Sequence, residues 1–495
     1  MNEMLSIPEH RTRIIFLSLF ILAIGIALRV YDVGKQPLWT DEANCLAIAQ
    51  GASGSVWEAL QKDCSPPLYY WLLGLAISSM KSPSETEIRI LSVVFGILAI
   101  PLLMWVGYQF LGMMGLMGGV LIAVSPLHIW HSQEARMYSL IVLLGAFLIY
   151  FMLRILENRE SRFSYTGLVL VQLILLWTHH FSIFPVLLSW IMIYVGTGRS
   201  FRTLRPYILI LFAGWLPIGW LEAVQSFAYR TGDWLPPPPA DAIFRSVGLW
   251  VCGIEALDHT IIARIPITVV FGALGIALPA LYGFRIRVGR WCALFVAGGL
   301  LLSFTVSLIR PAYTPGRYDV CFLPAFLIYL SAGLKRSPRM IRIIALTSLL
   351  IAGFLGIRHY FTRYEKSAIR SIVSVIDAMA HEDDAIVIVP EIEVPVVRYY
   401  YSGSCEIIVP PSFSNVRTVD YRDYKRRWSS PSNSRILAHR TRSLVIPDGR
   451  IFLIYSPYKG TVEYKGWLQS TADSVERLMR TVTGSGYTEL ILIGS

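Results

Sequence analysis

Long apolar runs, broken by short polar clusters, set the pattern of this chain. They fall at roughly 14–31, 90–109, 112–126, 138–155, 163–178, 181–196, 206–222, 261–282, 291–309, 319–334 and 341–357. Each approaches the roughly 20 residues that carry a helix across a hydrocarbon core of about 30 Å. The pattern therefore predicts eleven crossings, beginning with "IIFLSLFILAIGIAL" at 14–28, which follows Arg11 and Arg13 and lacks the small-x-small site of a cleaved signal peptide. A further stretch, "PPLYYWLLGLAISSM" at 66–80, is shorter, opens on two prolines and ends in polar residues. Counting it as a crossing reverses the orientation of everything after it.

Basic residues decide that orientation, because short cytosolic loops carry an excess of Lys and Arg. With 66–80 left out, Arg11 and Arg13, the clusters at 154–162, 199–205 and 285–290, and Lys335 to Arg342 all share the cytosolic side. The 66–80 segment is thus read as a helix at the outer interface, where Tyr69, Tyr70 and Trp71 suit the headgroup region. The loop 32–88, the loop 126–138, the turn at His179 and His180, the loop 223–260, the loop 310–318 and everything after about 358 are then extracytosolic.

After 358 the pattern changes. "AIVIVP" (385–390), "EIIVP" (406–410), "RIFLIYSP" (450–457) and "YTELILIG" (487–494) read as buried strands, with helical patterns near 364–381 and 471–483 and a polar loop at 411–449. The predicted fold class is a polytopic α-helical membrane protein with a C-terminal extracytosolic α/β domain. Residues 1–358 form the membrane domain and 359–495 the soluble one.

Composition agrees, with 54% hydrophobic and only 16% charged residues, against roughly 25% charged in soluble proteins. The net charge of +11 resides in the topogenic clusters, which argues against a nucleic-acid partner. Six cysteines form neither a disulfide scaffold nor a zinc spacing; Cys45 and Cys64 share one loop, where pairing and two separate thiols are equally open.

The charges that do not serve topology gather on the predicted outer side: Asp41, Glu42, Asp63, Glu134, Arg136, Arg310 and Arg317. A transporter would carry its key ionisable residues near mid-bilayer, so this distribution points to chemistry at the membrane surface. On position alone Asp41 and Glu42 read as a solvated pair at a helix start, with Thr40 or Asp41 as N-cap. The chemical alternative is a general base whose basicity rises at the apolar boundary. Arg136 and Arg317 read either as an ion-paired loop residue and a snorkelling side chain, or as guanidinium forks for a phosphate. His128 and His131, three apart beside Glu134, are compatible with a metal, but no other ligand accompanies them and no metal site is assigned. A divalent cation is not required by the sequence.

"PLWTDEA" after the first span, "DCSPPLYYWLLG", "SPLHIWHSQEARMYSL", "THHFSIF" and "RYDVCFLP" occur in an order that resembles the bacterial GT-C membrane glycosyltransferases, relatives of protein O-mannosyltransferases and of the lipid A aminoarabinose transferase. The resemblance covers about the first 335 residues. It implies an integral membrane enzyme of the bacterial inner membrane, with a cytosolic N-terminus, that inverts a sugar on transfer from a polyprenyl-phosphate donor to a lipid, glycan or protein acceptor at the outer face. By that resemblance Asp41 is the base, with Glu42 beside it, and Glu134 is the second catalytic acid. Arg136, Arg317 and Lys62 would hold the donor phosphate, and Asp63, Tyr69, Tyr138, His179 and Tyr318 would line the site. Many relatives have His or Lys before the double proline where this chain has Ser65, and Lys62 is the substitute. A flippase for a lipid-linked sugar shares the hydrophobic chain but predicts ionisable residues deep in the spans and a twofold repeat, neither of which the sequence shows.

Overall fold

A computed structural model describes residues 2–52, 54–228, 236–253, 267–413, 417–419, 431–445, 449–456, 461–470, 474–483 and 486–494. Apolar runs become helices because a backbone in a lipid-like environment must satisfy its own hydrogen bonds. Six helical stretches in the described residues are long and apolar enough to cross a membrane, and four shorter apolar helices accompany them. The run at 90–109 and most of that at 112–126 lie in one such stretch, Glu85–Ala123, broken by a 3-10 segment at Gly112–Leu116 where Gly112 adopts φ +66°. The first part of the run at 261–282 lies outside the described residues, and helix Ile267–Gly283 carries the rest.

Contacts divide the chain into two units. The first comprises Met1–Val33, Arg89–Gly219 and Pro236–Tyr364. Its centre is helix Tyr138–Leu156, 89% buried over its apolar window, whereas Phe201–Phe227 is only 17% buried and presents Phe201, Ile210 and Phe212 outwards. Burial of this kind marks the first helix as packed on all sides and the second as facing lipid. Arg29, inside the first apolar run, is fully buried, and its terminal nitrogens donate to the carbonyls of Gly25, Ala123 and Ile122 and meet His128 Nδ1 at 2.7 Å. Gln133 completes that helix end: its Nε2 donates to the carbonyls of Arg29 (3.1 Å) and Tyr31 (2.7 Å), which have no intrahelical partner.

In this first unit two helices lie where only loops were expected. Pro126–Ser132 forms because Ser125 accepts from the His128 amide as N-cap and Pro126 takes the first turn. Ala242–Cys252 forms within the loop 223–260, the rest of which lies partly outside the described residues.

The second unit comprises Gly34–Ile88, Trp220–Leu235 and Glu365–Ser495. In its first segment the 66–80 stretch is a helix of nine residues, Leu68–Ala76. Its sheet has strands β1 (Ala385–Val389), β2 (Glu406–Ile408), β3 (Ile451–Tyr455), β4 (Ser474–Thr483) and β5 (Gly486–Gly494), in the order β2-β1-β3-β5-β4. β1 runs parallel to β2 and β3, while β5 is antiparallel to β3 and β4. Four strands fall where alternation and apolar runs placed them, and helix Ile369–Met379 falls within 364–381. The expected helix at 471–483 is instead β4. Its Glu, Arg, Leu and Met residues favour a helix, but pairing with β5 from Ser474 to Thr483 overrides that preference. The expected loop at 411–449 contains helix Pro431–Leu444, whose Ala438 joins the buried core under β1 and β3; residues 414–416, 420–430 and 446–448 lie outside the described residues.

Candidate active site

Site residues expected from the sequence fall into two groups, one in each unit. In the second unit, Asp41 and Glu42 occupy the first turn of helix Thr40–Ala49. The N-cap is Trp39, with no side-chain cap bond, rather than Thr40 or Asp41. That shift by one or two residues frees both side chains for other partners, and the two neighbours diverge. Glu42 is fully buried and pairs with the equally buried Lys366 at 3.5 Å. Asp41 is half-buried. Thr40 donates from its hydroxyl to Glu393 Oε2 at 2.8 Å. Burial raises the Glu393 carboxyl above its ordinary range, the Thr40 bond opposes that, and the neighbouring charge of Asp41 adds to it.

The same segment is tied along its length to the C-terminal residues of its own unit. The Leu38 amide donates to the Tyr400 hydroxyl (2.7 Å), the Lys366 amide to Gln36 Oε1 (3.1 Å) and the Val419 amide to Asn44 Oδ1 (2.9 Å). Glu85 accepts from Arg370 at 2.7 Å and from Tyr400 at 3.0 Å. Asp63 braces the turn before the double proline: its carboxylate accepts from the Cys64 amide at 2.7 Å and the Tyr70 hydroxyl at 3.0 Å. Gln225 pins that turn by donating to the carbonyls of Leu60 (2.6 Å) and Ser65 (3.3 Å). Lys62 is half-buried at its edge, and Tyr69 is fully buried in the unit's core. Cys45 and Cys64 are not joined in a disulfide.

In the first unit, Glu134, Arg136, Tyr138, His179, Arg317 and Tyr318 belong to one connected cluster. Trp130 stacks on His131 (4.8 Å, 20°), and the Arg317 guanidinium lies over the Trp130 ring at 5.7 Å. His131 meets Tyr138 at 4.7 Å, Tyr138 meets His179 at 6.3 Å, and His179 meets Tyr318 at 4.8 Å. Arg136 lies 6.0 Å over Tyr138. The cluster therefore presents two half-buried guanidinium groups on an aromatic bed, which orients them by cation–π attraction. Burial, followed by the charges of His180 and Arg136, pushes the His179 imidazole down to about 3, so it is neutral and accepts from the Phe181 amide at 3.0 Å.

Glu134 is fully buried, and its Oε2 faces His131 Nδ1 at 3.3 Å. His131 Nε2 donates to the Gly316 carbonyl at 2.7 Å. His128 is bound to Arg29, so the two histidines have separate partners. Among the described residues no three His, Cys, Asp or Glu groups converge as metal ligands.

Lys366, Glu393 and Tyr400 were not found from the sequence, since each meets its partner across more than 300 residues. Arg29 could have been found: an arginine within an apolar run must have a buried partner.

No protein-family model matches the sequence, and no curated protein matches it significantly. The fold, however, is similar to that of solved structures. The structure of ArnT from Cupriavidus metallidurans in the apo state aligns with TM-score 0.61 and 14% identity over 96% of this chain and 97% of that one. ArnT from the same organism bound to undecaprenyl phosphate aligns with TM-score 0.57 and 12% identity over 98% of each chain. At such identities the likeness lies in the fold, which here extends over both units.

Proposed function

We propose that this chain is an inverting glycosyltransferase that moves a sugar from a polyprenyl-phosphate donor to a lipid, glycan or protein acceptor at the outer face of the membrane. The observation that carries this reading is the end-to-end fold likeness to a structure solved with undecaprenyl phosphate, joined to two arginines on an aromatic bed in this chain's own membrane unit.

Breaking the bond between the anomeric carbon and the carrier phosphate raises the phosphate charge from −1 towards −2. Arg136 and Arg317 are suited to that growing charge, because a guanidinium fork matches phosphate oxygens and its stabilisation increases as the bond breaks. Lys62 is assigned to the same phosphate as a point charge. On the opposite side of the sugar, the acceptor hydroxyl becomes more acidic as its oxygen bonds to carbon, and a carboxylate must take its proton. Asp41 is assigned that role. Glu42, although adjacent in sequence, is engaged by Lys366 and is assigned to holding the helix in place. The grouping of loop 34–88, residues 220–235 and the C-terminal region in one unit supports their lying on one side of the membrane, as the charge pattern predicts.

The test is turnover of radiolabelled polyprenyl-phosphate sugars by the intact protein and by Asp41→Asn. A positioned base contributes about 10²–10⁴-fold, so the variant should lose activity on that scale while still binding undecaprenyl phosphate. Equal turnover would remove Asp41 from the base role, and no turnover of any lipid-linked donor by the intact protein would point to a flippase.

A further inference from the structure

Gly316 is held from both sides of its peptide. Its carbonyl accepts from His131 Nε2 at 2.7 Å, and its amide donates to Asp319 Oδ1 at 3.1 Å. Asp319 is in turn fixed by the Tyr313 hydroxyl at 2.8 Å and by Trp250 Nε1 at 3.3 Å, with Ser246 bonded to Tyr313. Gly316 adopts φ +74°, and a Cβ there would fall 2.6 Å from Leu249 Cδ1, so no other residue fits this turn without displacing its neighbours. The next residue is Arg317, and its guanidinium rests on Trp130, which also stacks on the same His131 ring.

The protons of His131 follow from its partners. A carbonyl only accepts, so Nε2 must carry hydrogen. Nδ1 faces the Glu134 carboxyl. Either Glu134 is ionised and accepts from the imidazolium, or it is protonated and donates to Nδ1; both forms keep Nε2–H directed at Gly316. A histidine held through one nitrogen by a carboxyl group, so that the other is aimed, is a recurrent orienting device.

We propose that Glu134 is a positioning residue that acts through His131. The pair grips the Gly316 carbonyl while Asp319 grips its amide, and this two-sided clamp fixes the backbone and the Trp130 face from which Arg317 meets the donor phosphate. The inference rests on the proposed function for its ligand, and it reassigns Glu134 away from the proton-transfer chemistry implied by the family resemblance.

The experiment uses the full chain in lipid nanodiscs, with undecaprenyl phosphate alone as the binding probe and radiolabelled donor for turnover. Glu134→Ala and His131→Ala should each raise Kd for undecaprenyl phosphate about tenfold, as expected when a hydrogen bond that sets a charged contact is lost. Glu134→Gln should remain within about twofold, because its amide N–H donates to Nδ1 and preserves Nε2–H. In an Arg317→Ala background, Glu134→Ala should add nothing further, since residues acting through one another are not additive. If Glu134→Gln lowers kcat by about 100-fold or more with Kd unchanged, Glu134 acts on the reacting atoms and the clamp assignment falls. Full additivity with Arg317→Ala overturns it equally. Should Glu134→Ala not purify as a monodisperse protein, Glu134→Gln alone decides. Failure of the wild-type chain to bind undecaprenyl phosphate is a different result, which removes the proposed function itself.

Discussion

Asp41 and Glu134, the two carboxylates that sequence alone placed side by side in importance, sit in opposite kinds of surroundings. Glu134 is fully buried among His131, Trp130 and their neighbours in the helical unit, facing an imidazole that is already committed to a carbonyl. Asp41 lies half-buried in the first turn of a helix in the other unit, next to a neighbour, Glu42, that pairs with the buried Lys366. An acid that exchanges protons with a substrate needs access and an adjustable environment, while an acid that orients a side chain needs burial and fixed partners. The difference teaches that adjacency to a membrane surface does not define a catalytic acid; the satisfaction of its neighbours does.

The comparison breaks most sharply with paired variants. Asp41→Asn should lower kcat by about 10²–10⁴-fold with little change in undecaprenyl phosphate affinity, whereas Glu134→Gln should leave kcat nearly intact; steady-state turnover at saturating donor measures both. Reversed results would exchange the two roles. Next in size is Glu42→Gln, which leaves the Lys366 ammonium buried without its partner and should cost about 3–5 kcal/mol of stability, read as a fall in the thermal midpoint of the purified protein. The combined Glu42→Gln, Lys366→Met variant should recover part of that loss, and no recovery would mean that the pair is not what Glu42 contributes.

Arg317→Lys keeps the charge but loses the fork and the planar stacking on Trp130. It should raise KM for the lipid donor by about tenfold with kcat changed far less, a split visible in initial-rate kinetics. The smallest effect concerns Glu393. Its negative charge lies near Asp41, so Glu393→Gln should favour ionised Asp41, lower the Asp41 pKa and move the acid limb of kcat/KM to lower pH. An acid limb that stays in place or moves upward would show that Glu393 does not feel the base.

Much of this arrangement was legible in the sequence because it is local. Apolar runs announced the helices, and "SQEARMY" and "PGRYDV" the two arginines. The turn in "GRYD" is equally local, since Asp319 closes it by accepting from the Gly316 amide three residues back. What remained hidden depends on distance along the chain. Nothing near Glu42 says that Lys366 will enter its pocket, and nothing near Glu134 says that His131 will already be engaged by Gly316. The misread β4 has the same origin, since "SVERLMRTVT" has a helical composition until β5 supplies a partner.

The second unit is assembled from three separated stretches of chain, and this sets a timetable for synthesis. Thr40 and Glu393 are 353 residues apart, so at about 5–20 residues per second the first loop emerges roughly 20–70 s before the segment that anchors it. Until Lys366 and Glu393 arrive, helix Thr40–Ala49 lacks the ion pair and the hydrogen bond that fix its first turn. A chain stopped early therefore carries Asp41 on an unanchored loop, and the last quarter of the polypeptide works as a completion check on the first tenth.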